Sequence, residues 1–158
     1  MENMSKIITN LVEAHIFRET EKGLQFLLLR RAETEIYPGL WQMVSGKIDE
    51  GEKAFEAALR EIREETNLVP KRFWTAPNIN SFYYPEGDYI SMLPVFAALV
   101  EKDSKVQISH EHTEYKWLNA EEAKKLLAWQ GQRNSVDIIS EYFLKEISSL
   151  NFVEIQIK

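Results

Sequence analysis

Three carboxylates on one predicted helix constrain this chain more than any other feature. Glu61, Glu64 and Glu65 have the spacings i, i+3 and i+4, so on a helix all three lie on one face. Like charges held side by side repel one another and weaken the helix. A divalent cation turns that repulsion into ligation by hard oxygen atoms, which suits Mg²⁺ or Mn²⁺. The spacing therefore predicts a chain that folds around a metal site.

The pattern predicts that this helix spans residues 53–66 and that its other face is apolar. The stripe at helical spacing consists of Phe55, Ala58, Leu59 and Ile62. With about 100° of rotation per residue, the stripe is predicted to centre opposite the three glutamates. One face would then dock on a sheet while the other faces a cleft. Asn67 follows where the residue after a helix often takes the left-handed conformation.

Strands are predicted on both sides of this helix. Those before it are 7–18, 24–30 and 40–45, and those after it are 82–84, 89–100 and 114–118. The run 26–29 is apolar enough to be buried on both faces of a sheet. Turns are predicted at 19–23, 37–39 and 85–88. Pro94 lies inside a predicted strand, which indicates a sheet edge or a bulge.

The C-terminal part is predicted to be largely helical. Asn119 is a good N-cap for a helix over 120–128, and Asn134 or Ser135 could cap a final helix ending near Ile147. Residues 152–157 alternate in polarity and are predicted to add a strand. Strands around a central helix, with further helices behind, predict a mixed α/β sandwich. Without repeats or linkers, residues 1–158 are expected to form one domain.

Composition and charge narrow the classes of function. The chain has no cysteine, which excludes disulfides and thiolate chemistry and is compatible with a reducing cytosol. Its net charge of -6 argues against a nucleic-acid partner but allows a small phosphorylated substrate whose charge a metal neutralises. Residues 1–6 do not resemble a signal peptide, and no apolar run is long enough for a bilayer. A cytoplasmic protein without membrane partners is expected, and its oligomeric state stays open.

The helix and its flanks resemble a known signature. The sequence has Gly46, then five residues, Glu52, seven residues and the run 60–68. This pattern is similar to the signature G-x5-E-x7-R-E-U-x-E-E-x-G-U of the Nudix (MutT-like) hydrolases, in which U is an aliphatic residue. One fixed position differs, because Asn67 stands where the family has Gly, and Asn tolerates positive φ better than most residues. The resemblance implies an α/β/α sandwich with a loop–helix–loop motif. It also implies hydrolysis of a diphosphate linkage in a nucleoside diphosphate joined to another group.

The resemblance implies metal ligands among the matching residues. Glu61 and Glu65 would be the central ligands, and Glu64 would bind metal directly or through water. The carbonyl oxygen of Gly46 would be a further ligand. One of the helix carboxylates would help to deprotonate the attacking water, and family members differ in which one does so. The implied cofactor is Mg²⁺, with Mn²⁺ as a substitute.

Two further signature residues would have supporting catalytic roles. The resemblance implies that Arg60 orients Glu61 and that Glu52 supports both the loop and Arg60. The competing interpretation is a solvated helix face, with Arg60 and Glu64 forming an ordinary i, i+4 surface pair. Gly46 and Glu52 lie at the sequence separations that the signature requires, and this favours the metal site over the solvated face.

A second polar cluster lies downstream at 109–118. Many Nudix enzymes recruit an extra glutamate from such a loop. The pattern E-H-x-x-Y-x-W-L is similar to two subfamilies, dihydroneopterin triphosphate (dATP-type) pyrophosphohydrolases and diadenosine tetraphosphate hydrolases, and places that glutamate at Glu111. Glu114 is the competitor, although it falls inside the predicted strand. His110 and His112 make a weak zinc site without Cys or a third close His, so a surface or hydrogen-bonding role is preferred.

Substrate contacts are expected near the signature. Arg30 and Arg31 end a strand leading toward it, and could clamp phosphates or simply face solvent. Trp41 is the first candidate to stack on a flat base, because it leads directly into Gly46, although aromatic residues in strands are more often core. Further aromatic candidates are Phe82, Tyr83 and Tyr84. A rim is predicted from Trp129, Gln130, Arg133 and Asn134.

The segment before the signature bears on the substrate. Residues 41–46, W-Q-M-V-S-G, are similar to the W-Q-x-V-[ST]-G of dihydroneopterin triphosphate/dATP-type enzymes. Diadenosine tetraphosphate hydrolases typically have proline and lysine around the glycine, and here only Lys47 is present. The pattern favours a nucleoside or pterin triphosphate pyrophosphohydrolase that releases pyrophosphate and a monophosphate. The alternatives are a dinucleotide tetraphosphate hydrolase, a non-catalytic nucleotide-sensing module and an RNA 5′-end pyrophosphohydrolase.

Overall fold

A mixed eight-stranded sheet lies between helix α1 on one face and helices α2 and α3 on the other, in a computed structural model that describes residues 4–157. The strands are β1 (Lys6–Ile8), β2 (Leu11–Thr20), β3 (Gly23–Arg31), β4 (Trp41–Gln42), β5 (Val44–Lys47), β6 (Arg72–Tyr84), β7 (Tyr89–Leu99) and β8 (His112–Leu118). The helices are α1 (Ala54–Thr66), α2 (Ala120–Leu126), α3 (Gln130–Lys145) and α4 (Ile147–Leu150). The predicted α/β sandwich is confirmed.

Strand pairing brings the signature loop beside the centre of the sheet. Strand β7 pairs in parallel with β1 and β2 and antiparallel with β6. Strand β2 pairs antiparallel with β3 through its C-terminal part and with β5 through its N-terminal part. Strand β3 also pairs with β4 and β8. Because Gly46 is on β5, its neighbour across the ladder is Val12 on β2.

Two apolar cores cover the two faces of the sheet. In β3, Leu27 and Leu29 point into the core under α1, whereas Phe26 and Leu28 point into the core under α2 and α3. All four side chains are buried, so the prediction that this run is buried on both faces is confirmed. This alternation follows from the two-residue period of a strand.

Helix α1 begins and ends close to the predicted positions. The Glu56 carboxylate accepts a hydrogen bond from the Lys53 backbone N–H at 3.0 Å and so satisfies a donor at the N-terminus. At the other end Asn67 has φ of 61°, and its N–H donates to the Arg63 carbonyl at 2.9 Å. The predicted left-handed residue is confirmed, and it ends the helix where the family signature has glycine.

Several strand predictions were wrong in extent. The predicted strand 7–18 is two strands, β1 and β2, because the chain leaves the sheet between Ile8 and Leu11. The predicted strand 82–84 is only the end of β6, which starts at Arg72. Pro94 lies in an interior strand, so the edge alternative is wrong, but the bulge alternative is confirmed: the pairing is irregular between Thr75 and Ile79 on β6, and Ile79 is the partner of Pro94.

The C-terminal predictions were correct in part. Asn119 caps α2 as predicted, since its side chain accepts a hydrogen bond from the Glu122 N–H at 2.9 Å. Helix α3, however, begins at Gln130 rather than after Asn134 or Ser135. The stretch 152–157 is not a strand: a 3-10 turn ends at Val153, followed by a single bridge between Glu154 and Trp74. Within residues 4–157 no helix is long and apolar enough to cross a bilayer.

Candidate active site

The Glu61 carboxylate lies directly against the backbone of Gly46. A Cβ atom added at Gly46 would be only 2.2 Å from Cδ of Glu61. A side chain at position 46 would displace the Glu61 carboxylate, so glycine allows this carboxylate to lie against the backbone of strand β5. The loop and the helix, which the signature links in sequence, are therefore in contact in space.

Arg60 fixes the Glu61 carboxylate through a network of charge-assisted hydrogen bonds. Its Nη1 donates to Glu61 Oε1 at 2.7 Å, its Nε donates to Glu52 Oε2 at 2.8 Å, and its Nη2 donates to the Lys47 carbonyl at 2.8 Å. Glu52 also accepts from the Asp49 N–H at 3.0 Å. The hydrogen bonds from Arg60 and Asp49 lower the pKa of Glu52 to about 2, so Glu52 stays ionised as a fixed counter-charge.

Glu65 is buried, with 2% of its surface exposed, rather than lying opposite the apolar stripe. That prediction was wrong, because Glu65 follows Ile62 by three residues and thus flanks the stripe on the sheet side. The Ser45 backbone N–H donates to its carboxylate, but among residues 4–157 its Oε2 has no hydrogen-bond partner. Burial, followed by the charges of Glu61 and Glu111, raises the pKa of Glu65 to about 9.

The structure brings Glu111 and His112 to Glu65. One ligand atom from each of the three residues lies within 4.8 Å of the other two. His112 is buried, so a surface role is wrong, whereas a hydrogen-bonding role agrees with the structure: Gln42 Nε2 donates to His112 Nε2 at 3.2 Å. Burial and then the charge of Arg31 lower the pKa of His112 to about 4, which keeps the ring neutral.

Glu64 occupies a different position from the other two helix carboxylates. Its side chain is 59% exposed and lies 3.3 Å from Arg60 Nη1. The predicted i, i+4 pair with Arg60 therefore exists, beside the buried cluster rather than in place of it. Glu64 lies at the solvent edge, where a water molecule can stand between a carboxylate and a cation.

The donor set fits a hard divalent cation. Glu61, Glu65 and Glu111 surround a site in which burial and mutual repulsion both oppose ionisation, as the raised pKa values of Glu61 and Glu65 show. A buried carboxylate oxygen without a partner is costly unless something positive binds it. Oxygen donors predominate, with one neutral imidazole nearby and no thiolate, which suits Mg²⁺ or Mn²⁺ better than zinc.

The two arginines predicted to clamp phosphates are engaged with the protein. Arg30 Nη1 donates to Glu114 Oε2 at 2.8 Å, which also directs Glu114 away from Glu65. Arg31 Nη1 donates to Gln42 Oε1 at 3.0 Å and so orients the amide that contacts His112. Sequence reasoning missed this Arg31–Gln42–His112 chain, because its members come from three separate strands.

The predicted aromatic contacts differ in exposure. Trp41 is half-buried, and Lys116 Nζ lies 4.9 Å from its ring centre. Phe82 is 41% exposed, whereas Trp129 is 53% exposed and makes an edge contact with Tyr37 at 6.2 Å between ring centres. In the predicted rim, Arg133 binds the carbonyl oxygens of Leu127 and Ala128, while Gln130 binds Asn134.

Comparisons with known proteins agree with this geometry. The NUDIX domain family model matches residues 10–137, which include the whole carboxylate cluster. A bis(5′-nucleosyl)-tetraphosphatase (asymmetrical) of Caenorhabditis elegans is 33% identical over 113 residues, covering 70% of this chain and 79% of that protein. The nucleoside triphosphatase NudI of Klebsiella pneumoniae is 32% identical over 112 residues, covering 65% and 78%.

A solved structure supports the same conclusion. The structure of a putative NUDIX hydrolase from Listeria monocytogenes matches with a TM-score of 0.73 and 27% identity, over 85% of this chain and 94% of that one. The fold and the carboxylate cluster thus define the class of this protein as a pyrophosphohydrolase. The chain belongs to the Nudix family.

Proposed function

We propose that this enzyme uses Mg²⁺, or Mn²⁺ in its place, to hydrolyse a diphosphate linkage in a nucleoside or pterin triphosphate. The products are pyrophosphate and the monophosphate. One observation carries the proposal: Glu65, whose Oε2 has no partner within the described residues, is buried beside Glu61, Glu111 and the backbone N–H of Ser45. A protein without a cation to bind gains nothing from this costly arrangement.

The proposed metal ligands are Glu61, Glu65, Glu111 and the Gly46 carbonyl, with Glu64 acting through water at the solvent edge. When bound, the metal neutralises the diphosphate and lowers the pKa of a water molecule. One of the carboxylates Glu61, Glu65 or Glu111 accepts a proton from the attacking water. The water oxygen bonds to phosphorus, and the phosphoanhydride P–O bond to the leaving group breaks.

Arg60, Glu52 and Ser45 hold the acids in place during this step. Arg60 binds Glu61 with a short charge-assisted hydrogen bond, and Glu52 fixes Arg60 through both its Nε and Nη2. The Ser45 N–H holds one side of Glu65. Catalysis by positioned charges depends on such preorganisation, because no free energy is then spent on reorienting the acids during reaction.

Two observations support a triphosphate of a nucleoside or pterin. Residues 41–46 have the pattern of dihydroneopterin triphosphate/dATP-type enzymes, and one relative is a nucleoside triphosphatase. The second candidate is a dinucleotide tetraphosphate hydrolase, which the C. elegans relative favours. The net charge of -6 supports a small molecule rather than a nucleic acid as substrate.

Product analysis tests this proposal. The purified chain is assayed with Mg²⁺ on the four deoxynucleoside triphosphates, dihydroneopterin triphosphate and diadenosine tetraphosphate, in water labelled with ¹⁸O. Pyrophosphate and a monophosphate are the expected products. Release of orthophosphate would overturn the proposed position of cleavage, and turnover of the dinucleotide alone would favour the second candidate.

Two matched variants test whether the turnover depends on the carboxylate cluster around Glu65. Glu65→Gln is expected to abolish it, whereas Glu141→Gln, a change at an exposed position on α3, is expected to retain it. If the wild-type chain hydrolyses none of these compounds, the proposed reaction is overturned.

A further inference from the structure

A second buried carboxylate lies on the opposite face of the sheet from the active-site cluster. Glu13 on β2 is 3% exposed and faces helix α3. Its Oε1 accepts a hydrogen bond from Asn80 Nδ2 at 2.8 Å, whereas its Oε2 is buried and has no partner within residues 4–157. Leaving a buried acceptor unpaired typically costs about 1–3 kcal/mol, and more for a charged group. The structure thus holds an acceptor that needs a donor.

Three more polar atoms on this face are buried without partners in the described part of the chain. These are Nε2 of His15, Oγ of Ser91 and Nε1 of Trp74. His15 follows Glu13 by two residues, and Ser91 precedes Val95, the partner of Glu13 on β7, by four, so their side chains share one face. Most of this face is packed by apolar side chains, which makes a group of four unsatisfied polar atoms unusual.

Helix α3 starts directly above Glu13 and Asn80. A Cβ atom at Gly131 would lie 1.8 Å from Asn80 Oδ1, so the absence of a side chain at position 131 lets Asn80 lie directly against the helix. Asn80 is half-buried and stands between Glu13 and the start of the helix, so its side chain would have to move for a ligand to reach the carboxylate. Trp129, which precedes α3, is exposed with Tyr37 against its edge and offers a flat surface near the start of this helix.

The two carboxylate sites are connected through one rung of the sheet. Glu13 pairs with Ser45 across the β2–β5 ladder, and the Ser45 N–H donates to Glu65. The neighbouring rung joins Val12 to Gly46, which contacts Glu61. A substrate with its phosphates near Glu61 and Glu65 and its ring near Glu13 would have to extend across these two rungs.

The chemistry of a carboxylate determines which ring fits. An ionised carboxylate only accepts hydrogen bonds, and each of its oxygens has two lone pairs, so the bond to Asn80 does not block pairing. Guanine and pterin present two adjacent donors, a ring N–H and an exocyclic amine. Adenine and cytosine present an amine beside a ring nitrogen that accepts. Burial raises the pKa of Glu13 to about 6, so the group is mostly ionised at pH 8.

We propose that Glu13, positioned by Asn80, determines substrate specificity by accepting hydrogen bonds from the adjacent ring N–H and amine of a guanine or pterin ring. This inference rests on the proposed function for the reaction it serves, but recognition of the ring is measurable without turnover. The feature that Glu13 would select is the pair of adjacent donors, the ring N–H and the amine. Guanine and pterin both present this pair, so the test includes a ligand of each kind.

The test measures both binding and turnover for wild type, Glu13→Gln and Glu19→Gln. Glu19 lies on the same strand at an exposed position and serves as the matched control. Dissociation constants are measured for GMP, AMP, CMP and 7,8-dihydroneopterin, and kcat/KM for the corresponding triphosphates. The wild type and Glu19→Gln are expected to prefer guanine and pterin ligands over adenine by about tenfold to a hundredfold. In Glu13→Gln the preference disappears or reverses, because glutamine offers one donor and one acceptor.

The outcomes separate this inference from the proposed function. Equal binding of all rings by the wild type, or an unchanged preference in Glu13→Gln, would show that Glu13 is structural and satisfied by buried water only. A ring preference that Glu13→Gln removes, without hydrolysis of any ligand, would support the inference and overturn the proposed reaction. The relative affinities of GMP and dihydroneopterin then identify whether the site prefers a guanine or a pterin ring.

A structural measurement keeps the inference testable if Glu13→Gln fails to fold. A crystal structure of the wild type with GMP is expected to show the ring N–H and the amine within hydrogen-bond distance of Glu13. A ring bound elsewhere, with Glu13 still covered by Asn80, would overturn the inference.

Discussion

Glu65 and Glu13 are both buried carboxylates, yet the two faces of the sheet surround them differently. Glu65 lies near Glu61 and Glu111, and burial together with these charges raises its pKa to about 9. Glu13 contacts an amide, and burial alone raises its pKa to about 6. The charges next to a buried acid therefore determine what that acid can bind. Several acids together require a cation, whereas a single acid beside an amide can accept from neutral N–H groups.

The two faces also differ in how their sites are assembled. The α1 face takes most of its acids from one turn of one helix, so its site is visible as a sequence motif. The α3 face combines β2, β6, β7 and the start of α3, so Glu13 and Asn80 meet only in the folded chain. Each of the following variants tests whether the two faces are as different as their surroundings indicate.

Glu65→Gln should produce the largest effect. Turnover with Mg²⁺ is expected to fall by at least about a hundredfold, because a buried charge that binds the cation is lost. The metal-free protein should become more stable, since one of several repelling acids is neutralised. Steady-state kinetics and thermal unfolding in a chelator measure the two effects. Near-normal turnover would mean that the α1 face is not the catalytic face.

Glu111→Gln and Glu114→Gln compare two glutamates of the same loop region. We expect Glu111→Gln to lower kcat by about tenfold or more, because Glu111 lies within the cluster. Glu114→Gln should change kcat by less than about threefold, because Glu114 binds the half-exposed Arg30 at the surface. The reverse order in kcat would assign the loop carboxylate to Glu114.

Metal binding should stabilise the protein through one face only. At a free Mg²⁺ or Mn²⁺ concentration a hundred times Kd, a single site adds about 2.7 kcal/mol to the free energy of unfolding. Wild type and Glu13→Gln should show this gain in thermal unfolding, and Glu65→Gln should lose it. Loss of the gain in Glu13→Gln as well would indicate that the two faces are coupled.

Apart from the change in ring preference, Glu13→Gln should have the smallest effect, a change in stability that depends on pH. The folded pKa of Glu13 is raised, so its contribution to stability is fully present below about pH 4.5 and is lost as pH rises through about 6. At pH 8 the substitution should therefore increase the free energy of unfolding by about 2 kcal/mol relative to its effect at pH 4. Denaturant unfolding at both pH values measures this difference, and identical shifts would contradict the raised pKa.

Local patterns in the sequence predict those parts of the fold that depend on neighbouring residues. Helix α1, its left-handed end at Asn67, the buried run in β3 and the cap at Asn119 are all confirmed. The predictions that fail depend on distant partners. Strand β6 is long because β7 pairs with nearly all of it, and residues 152–157 form no strand because only one bridge reaches β6.

The spacing of the carboxylates on the α1 face follows from the sequence alone, because a helix fixes the spacing of its own side chains. Tertiary structure alone decided which of those acids is buried. Glu65 is enclosed by β5 and the loop before β8, while Glu64 on the same turn remains in solvent. Only tertiary structure placed Glu13 beside Asn80, since a strand places side chains on a face but does not choose which neighbouring strand meets them.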